Sequence, residues 1–362
     1  MRGGNSPNHK KERTIKMKIP ATVITGFLGA GKTTLIRHLL ENSGGRRIAL
    51  VINEFGDLGI DREIVNGCAI EGCNDEDVIE LANGCICCTV ADDFLPVMQA
   101  LLERDNPPDH IVIETSGLAL PKPLIKAFNW PEIKTKVSID GVISVIDAPA
   151  FNDGLFAHNP AAVQTQREMD ENISHETPLS EVFEDQLMAA DMVLLNKADQ
   201  LNDRQIKELI SKLEKQLRPG VHVVPTSHGN APVDVLLGLD SAVEDDIANR
   251  PSHHDDHDDE HDHDDFESFV VDLGPVADTE KLEQVLINVA RDFSVLRIKG
   301  FVDVVGKPSR YLVQGVGTRF TRYFDRPWDA DEQRQSRLVI IGETGLQQKE
   351  ITNAIKAIGG NA

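Results

Sequence analysis

The run Gly26-Phe27-Leu28-Gly29-Ala30-Gly31-Lys32-Thr33 has the spacing G-x-x-x-x-G-K-[ST]. Glycines so placed let successive backbone N–H groups turn inward around an anion, and a helix beginning there adds its positive end. Lys32 is then the cation for the outer phosphates, and the Thr33 hydroxyl is a ligand for Mg²⁺. Gly26, Gly29, Ala30, Gly31 and Thr34 complete the cradle. An apolar run at 21–25 precedes the motif and a helical pattern at 34–40 follows it, which is the context a phosphate loop needs and a chance glycine turn lacks. Far downstream, Asn196-Lys197-Ala198-Asp199 supplies the pattern N-K-x-D. An Asp199 carboxylate accepts from the N1–H and exocyclic amine of guanine together, a donor pair that adenine lacks, so the expected nucleotide is GTP. Asn196 and Lys197 brace that loop and cover the base, and Thr226-Ser227-His228 is placed to close over it.

Two further loops are candidates for sensing the γ-phosphate. In Ile113-Glu114-Thr115-Ser116-Gly117, Glu114 is positioned to bind Mg²⁺ through water and the Gly117 amide to face the terminal phosphate. Asn53-Glu54-Phe55-Gly56-Asp57 follows the second expected strand, at the sheet edge where ligands collect, and offers Glu54 as a further nucleotide-side acid. Asp147 is another. The alternative for Glu114, Glu54 and Asp57 alike is a helix cap or a solvated loop charge. No general base stands out, so hydrolysis of GTP to GDP and phosphate is expected to be slow, with Lys32 and Glu114 as its catalytic groups.

Cys85-Ile86-Cys87-Cys88 concentrates three of the five cysteines in four residues. Three soft ligands that close together can meet one ion if the chain turns at Asn83-Gly84, and thiolates prefer Zn²⁺, Co²⁺ or Cu(I) to Mg²⁺ or Ca²⁺. A fourth ligand is not evident, which suits an exchangeable site. Cys68 and Cys73 are candidates for it, or are small buried hydrophobes. The triplet lies between the two γ-phosphate loops, so GTP and Mg²⁺ can assemble the sulfur ligands and hydrolysis can release them. Linkage then requires the metal to tighten nucleotide binding by the same factor. Residues 253–265 add five His and eight Asp or Glu, a weak and unselective metal-attracting run or a merely solvated acidic linker.

These groups need a scaffold, and the 362 residues exceed what one core usually holds. Strands are expected at 21–25, 48–52, 110–114, 141–147, 192–196 and 221–225, alternating with helical patterns such as 203–217, where Asn202 or Asp203 caps the start. The alternation predicts an α/β fold: a phosphate-loop GTPase domain at 19–240 with a mainly parallel sheet. Residues 1–18 read as a disordered tail and 241–265 as an acidic, His-rich linker. Strand patterns at 266–273, 295–305, 310–324 and 336–341, with helices at 279–290 and 346–358, make 266–362 a smaller α+β domain. A formal net charge of −22 argues against general nucleic-acid binding. No stretch approaches the roughly 18 apolar residues of a membrane span. The polar, basic first residues lack a secretory core, and the odd cysteine count points to reduced thiols, so a cytoplasmic location is expected.

With the phosphate loop, C-x-C-C, E-T-S-G and N-K-x-D in this order, the chain resembles the CobW family of metal-handling GTPases. The resemblance covers nearly all of 19–358 and includes Leu81-Ala82-Asn83-Gly84-Cys85-Ile86-Cys87-Cys88. From Glu71 to Phe94 the chain looks most like the cobalamin-biosynthesis members, and Gly300-Phe301 and Arg326-Pro327-Trp328 look like the family's second domain. The resemblance implies a GTP-driven metallochaperone whose cargo is held by the thiolates matching Cys85, Cys87 and Cys88. It implies Co²⁺ as that cargo, delivered toward a cobaltochelatase. Zn²⁺ delivery to another metal-accepting protein is the alternative within the family, and a non-enzymatic metal buffer or sensor the alternative outside it.

Overall fold

The computed structural model describes residues 18–52, 78–80, 94–169, 178–237, 266–328 and 334–358. Glu54, Asp57, Cys68, Cys73, the Cys85-Cys87-Cys88 triplet and the His-rich run lie outside the described residues. Strands β1 (Ile19–Thr25), β2 (Ile48–Ile52), β3 (Val78–Glu80), β4 (His110–Glu114), β5 (Val137–Asp147), β6 (Met192–Asn196) and β7 (His222–Pro225) form one sheet in the order β3-β2-β4-β1-β5-β6-β7. Every pairing in it is parallel. Both faces are covered, which is why these strands read as nearly unbroken apolar runs. On one face Ile24, Leu50, Val112 and Leu194 pack against Leu35, Ile36 and Leu39 of α1 (Lys32–Glu41). On the other, Val23, Val51 and Ile113 meet α2 (Leu95–Leu102), α3 (Pro121–Ala127) and α4 (Pro131–Lys134). Further along that second face lie α5 (Ala148–Asn152), α6 (Pro160–Met169), α7 (Leu179–Ala189) and α8 (Asp203–Glu214). Helix α8 starts at the Asn202 cap, where Gln205 closes a reciprocal capping box.

Three elements differ from the sequence pattern, each for a local reason. Strand β3 has only three residues, too few for any periodicity to register. Strand β5 begins at Val137, ahead of the expected 141, because Val137–Ile139 pair with Ile19–Ala21 before the register steps to Thr22↔Gly141. Asp140 is the residue left over, and such a bulge re-aims its side chain. The expected run at 310–324 is a hairpin, β10 (Ser309–Val316) and β11 (Arg319–Pro327), turned at Gly317 with φ 51°.

After α9 (Val233–Leu236), the second domain adds β8 (Phe266–Leu273), β9 (Val295–Asp303) and β12 (Ser336–Glu343) to that hairpin. The resulting antiparallel sheet has the order β11-β10-β9-β12-β8. Helices α10 (Thr279–Asp292) and α11 (Gln348–Lys356) cover one face through Leu282, Leu286, Ile351 and Ile355. The other face meets the first domain, with Leu296 and Val316 joining the α1-side core. At this junction Arg297 makes a two-armed pair with Asp140, at 2.9 and 3.0 Å. Arg319 pairs with Asp191 at 2.7 Å. Among the described residues no helix is long and apolar enough to cross a membrane.

Candidate functional site

The loop after β1 brings Gly26, Gly29, Ala30, Gly31, Lys32, Thr33 and Thr34 into one turn that opens α1. Gly31 takes φ 106°, and a Cβ there would lie 2.2 Å from Asn196 Nδ2, so only glycine fits. Among the described residues no side chain caps α1, and its first turn holds no acidic residue. The first-turn amides, which have no acceptor within their own helix, with Thr33 half-buried and Thr34 exposed, are the physical basis of an anion site. Lys32 is buried, with Nζ 3.9 Å from Oε1 of Glu114. Glu114 ends β4, and the next residue is tied back to β1 by Thr115 N–H donating to Ile24 O at 2.9 Å. The structure therefore brings Lys32, Thr33 and Glu114 to the same edge of the sheet. A partly buried threonine at the same sheet edge as a buried carboxylate offers the oxygen ligands that Mg²⁺, a hard cation that keeps several waters, prefers.

Gly117 presses against the phosphate loop: a Cβ at this position would stand 2.8 Å from Leu28 N. Behind it, Gln186 of α7 donates through Nε2 to Gly117 O at 3.0 Å and to Ala119 O at 3.3 Å. The sequence pattern did not single out Gln186. The available signal was a lone polar residue among Val182, Phe183 and Leu187 on the buried side of α7.

The base loop is tied to the phosphate loop by its own motif residues. Asn196, buried, donates through Nδ2 to Ala30 O at 2.9 Å, and its Oδ1 accepts from Gly229 N at 3.0 Å. Lys197 adopts φ 61°, a left-handed backbone uncommon for a residue with a side chain. Its Nζ spans the loop, donating to Gly29 O at 2.7 Å and pairing with Asp147 Oδ2 at 2.5 Å. The other carboxylate oxygen of Asp147 caps α5 by accepting from Ala150 N at 2.9 Å. Asp147 is thus engaged in bracing the base loop rather than aimed at phosphate. Asp199 stands exposed in the short turn Ala198–Gln200, and no described side chain engages its carboxylate. The neighbouring loop is stitched on by Ala198 N–H to Thr226 O and Thr226 N–H to Leu195 O, both at 3.0 Å. His228 is exposed in that loop with φ 55°.

A phosphate loop at the head of a parallel sheet, locked to an N-K-x-D loop with a free aspartate, defines a nucleotide-binding protein of the GTPase type. Residues 20–225 match the family described as CobW/HypB/UreG, nucleotide-binding domain. Residues 266–358 match the cobalamin synthesis protein cobW C-terminal domain. The chain belongs to the CobW family. It is 52% identical to the zinc chaperone CobW of a Sinorhizobium species, over 94% of this chain and 97% of that one. A Pseudomonas aeruginosa protein of the same name is also 52% identical, over 94% of this chain and 91% of its own. The zinc chaperone YjiA of Escherichia coli is 30% identical, over 94% and 98% of the two chains.

Proposed function

We propose that this protein is a GTP-hydrolysing metal chaperone that binds its cargo ion through Cys85, Cys87 and Cys88 when Mg²⁺-GTP is bound, and yields it to a metal-accepting protein after hydrolysis. The observation that carries the proposal is the shared sheet edge. Ile52 at the end of β2 pairs with both Glu80 and Glu114, so the chain leaves β3 at the same sheet edge as the Lys32–Glu114 pair, two strands from Glu114. Cys85 follows Glu80 by five residues. Five residues reach about 17 Å, and the three strand spacings from β3 to β1 amount to about 14 Å. A thiolate cluster within that reach of the γ-phosphate loops can be assembled or released by them.

In this scheme the phosphate loop and Lys32 hold the phosphates, and Thr33 with Glu114 holds Mg²⁺. Asn196 and Lys197 support the loop whose Asp199 selects guanine. GTP and water give GDP and phosphate slowly, with no side chain of the described loops acting as a general base. Zn²⁺ is the favoured cargo: relatives 52% identical over nearly the whole chain carry zinc in their names. Zinc also outcompetes Co²⁺ at a thiolate site on intrinsic affinity. A second reading, Co²⁺ delivered toward a cobaltochelatase for corrin synthesis, is favoured by the cobalamin-synthesis description of the matching second domain.

The test is a Zn²⁺ and a Co²⁺ titration of the reduced, metal-free protein with Mg²⁺-GTP, with Mg²⁺-GDP and without nucleotide, following thiolate-to-cobalt absorption and Zn²⁺ competition. The expected result is tighter binding with GTP by at least about tenfold, a coupling of about 1.4 kcal/mol. That gain should vanish when Cys85, Cys87 and Cys88 are replaced together by Ser. Identical curves with and without GTP would leave a metal buffer beside an unrelated nucleotide site.

A further inference from the structure

The loop from Glu114 to Ala119 is gripped from two sides. Toward the nucleotide, Gly117 lies on the backbone of Phe27 and Leu28, and Glu114 lies beside Lys32. Away from it, the single amide nitrogen of Gln186 donates to two carbonyls of the loop, those of Gly117 and Ala119. Gln186 is 1% exposed and belongs to a helix that is itself firmly seated. Its neighbours Phe183 and Leu187 share a core with Phe27 and Leu118, and Phe27 lies 6.2 Å from Phe183 between ring centres. A Lys122–Asp185 pair at 3.3 Å joins the same helix to α3, immediately beyond the loop. A glycine has no side chain by which to fix its own peptide planes, so Gly117 takes its orientation from the partners of its backbone groups.

From this geometry we propose that Gln186 is a positioning residue that sets the preference of the site for nucleoside triphosphate over diphosphate. It rests on the proposed Mg²⁺-GTP function of the site and deepens it. The base is read at Asn196, Lys197 and Asp199. The inner phosphates are held by the loop from Gly26 to Thr33. Both of these parts are fastened by bonds that do not involve Gln186. Among the described residues the Gln186 side-chain amide bonds the Glu114–Ala119 loop alone, and the γ-phosphate is the one group that a triphosphate has and a diphosphate lacks. Removing the amide leaves two buried carbonyls short of a donor, a deficit the loop relieves by turning them toward water. The Gly117–Leu118 peptide turns with its carbonyl, and through the freely rotating Gly117 Cα this releases the preceding Gly117 N–H from its set on the γ-phosphate.

The test compares affinities for Mg²⁺-GDP and for the Mg²⁺ complex of a β,γ-imido GTP analogue in the full chain, in wild type, Gln186→Met and Gln186→Asn. Methionine has a similar length and no donor; asparagine keeps the donor one methylene short. The expected result for Gln186→Met is analogue binding weaker by about tenfold, the part of the two lost hydrogen bonds that is felt at the γ-phosphate, with GDP binding changed by less than about twofold. Gln186→Asn falls between, and it carries the test if the methionine variant does not fold. Equal weakening of both nucleotides, with a lower melting temperature, would mean that Gln186 only holds the fold together. An unchanged pair of affinities would equally overturn the assignment. Wild-type protein that binds neither nucleotide would remove the nucleotide function itself, a failure distinct from a wild type that binds both and a variant that keeps their ratio.

Discussion

The two ends of the parallel sheet use the same kinds of residue for opposite purposes. At the carboxyl ends of β1, β4, β5 and β6 lie Lys32, Glu114, Asp147, Lys197 and Asp199, with the first turn of α1. At the amino ends lie His110, Asp140 and Asp191, and here the second domain closes over the polar groups. Asp140 meets Arg297 there, the pair showing side-chain exposures of 1% and 3%, and Arg297 also donates to the carbonyls of Val235 and Leu236. Asp191 holds Val142 N, Arg218 and Arg319. Buried ions are tolerable only when paired and hydrogen-bonded, and at this end Asp140 and Asp191 find their cationic partners inside the protein. The other end leaves part of its bonding capacity to a ligand. A charge at the closed end should therefore be felt in stability, and one at the open end in binding.

Two aspartates set the comparison at its widest. Asp140→Ala leaves Arg297 charged and buried without its carboxylate, so folding stability should fall by about 4 kcal/mol, read by denaturant unfolding. GDP affinity of the protein that remains folded should be unchanged. Asp199→Ala removes an exposed carboxylate, so stability should move by less than about 0.5 kcal/mol. GDP affinity should fall by about a hundredfold, as two charge-assisted bonds to guanine are lost. If Asp140→Ala weakened nucleotide binding as much as it weakened the fold, the two ends would not be separable.

The closed end also carries a pH signature. His110 is fully buried, and that desolvation pushes its pKa down to about 4; the nearby cations Arg297, Lys299 and Arg46 push the same way, against Asp140. Nε2 lies 2.8 Å from Thr22 Oγ1, whose hydroxyl is directed to Asp140, so the ring is the neutral Nε2–H tautomer. In the unfolded chain a histidine protonates near pH 6.5. Above that value it is neutral in both states and contributes no pH dependence. As the pH falls below 6.5 the unfolded chain takes up a proton that the folded protein refuses. Stability is therefore lost down to about pH 4, by up to about 3 kcal/mol. Burial also lowers the pKa of His222, which contacts Ala290 O across the junction, so it adds in the same direction. Unfolding free energies from pH 7 to 4.5 should show a shallower slope for His110→Gln than for wild type. Parallel curves would mean that His110 does not carry the dependence.

The open end was largely legible in the sequence and the closed end was not. The phosphate loop and N-K-x-D are contiguous motifs whose chemistry depends on local backbone, and their flanking strands are buried on both faces, so each was visible in a short window. Asp140 and Arg297 are separated by 157 residues and Gln186 and Gly117 by 69, and neither pairing leaves a trace in either window. The start of β5 was obscured for the same reason: Ser138 and Asp140 interrupt its apolar pattern because the bulge aims Asp140 at the second domain. Asp147 was legible as an acid at the end of a strand and Lys197 as part of N-K-x-D, while the bond between them, across fifty residues, was not.

Asp147 lies at the open end yet is bonded like a closed-end residue, so it sharpens the comparison with the smallest expected effect. One oxygen caps α5 and the other pairs with Lys197, whose side chain also reaches Gly29 O. Asp147→Asn keeps an oxygen for the cap and removes the charge opposite Lys197. Lys197 is 29% exposed at its side chain, so water takes up part of the lost interaction. The left-handed backbone at Lys197 and its bond to Gly29 O remain, but the lysine loses the anchor that holds it across the phosphate loop. GDP affinity should fall by about fivefold, close to 1 kcal/mol, and the loss should be the same for the GTP analogue because base loop and inner phosphates are common to both. Stability should fall by about 1 kcal/mol or less, a partly solvated pair being worth no more. Equal effects on GDP and analogue would mark Asp147 as a brace of the base loop, set apart from Gln186 by the very ratio that Gln186 controls. An analogue-selective loss would instead place Asp147 with Glu114 on the γ-phosphate side, and the division between the two loops of the open end would have to be redrawn.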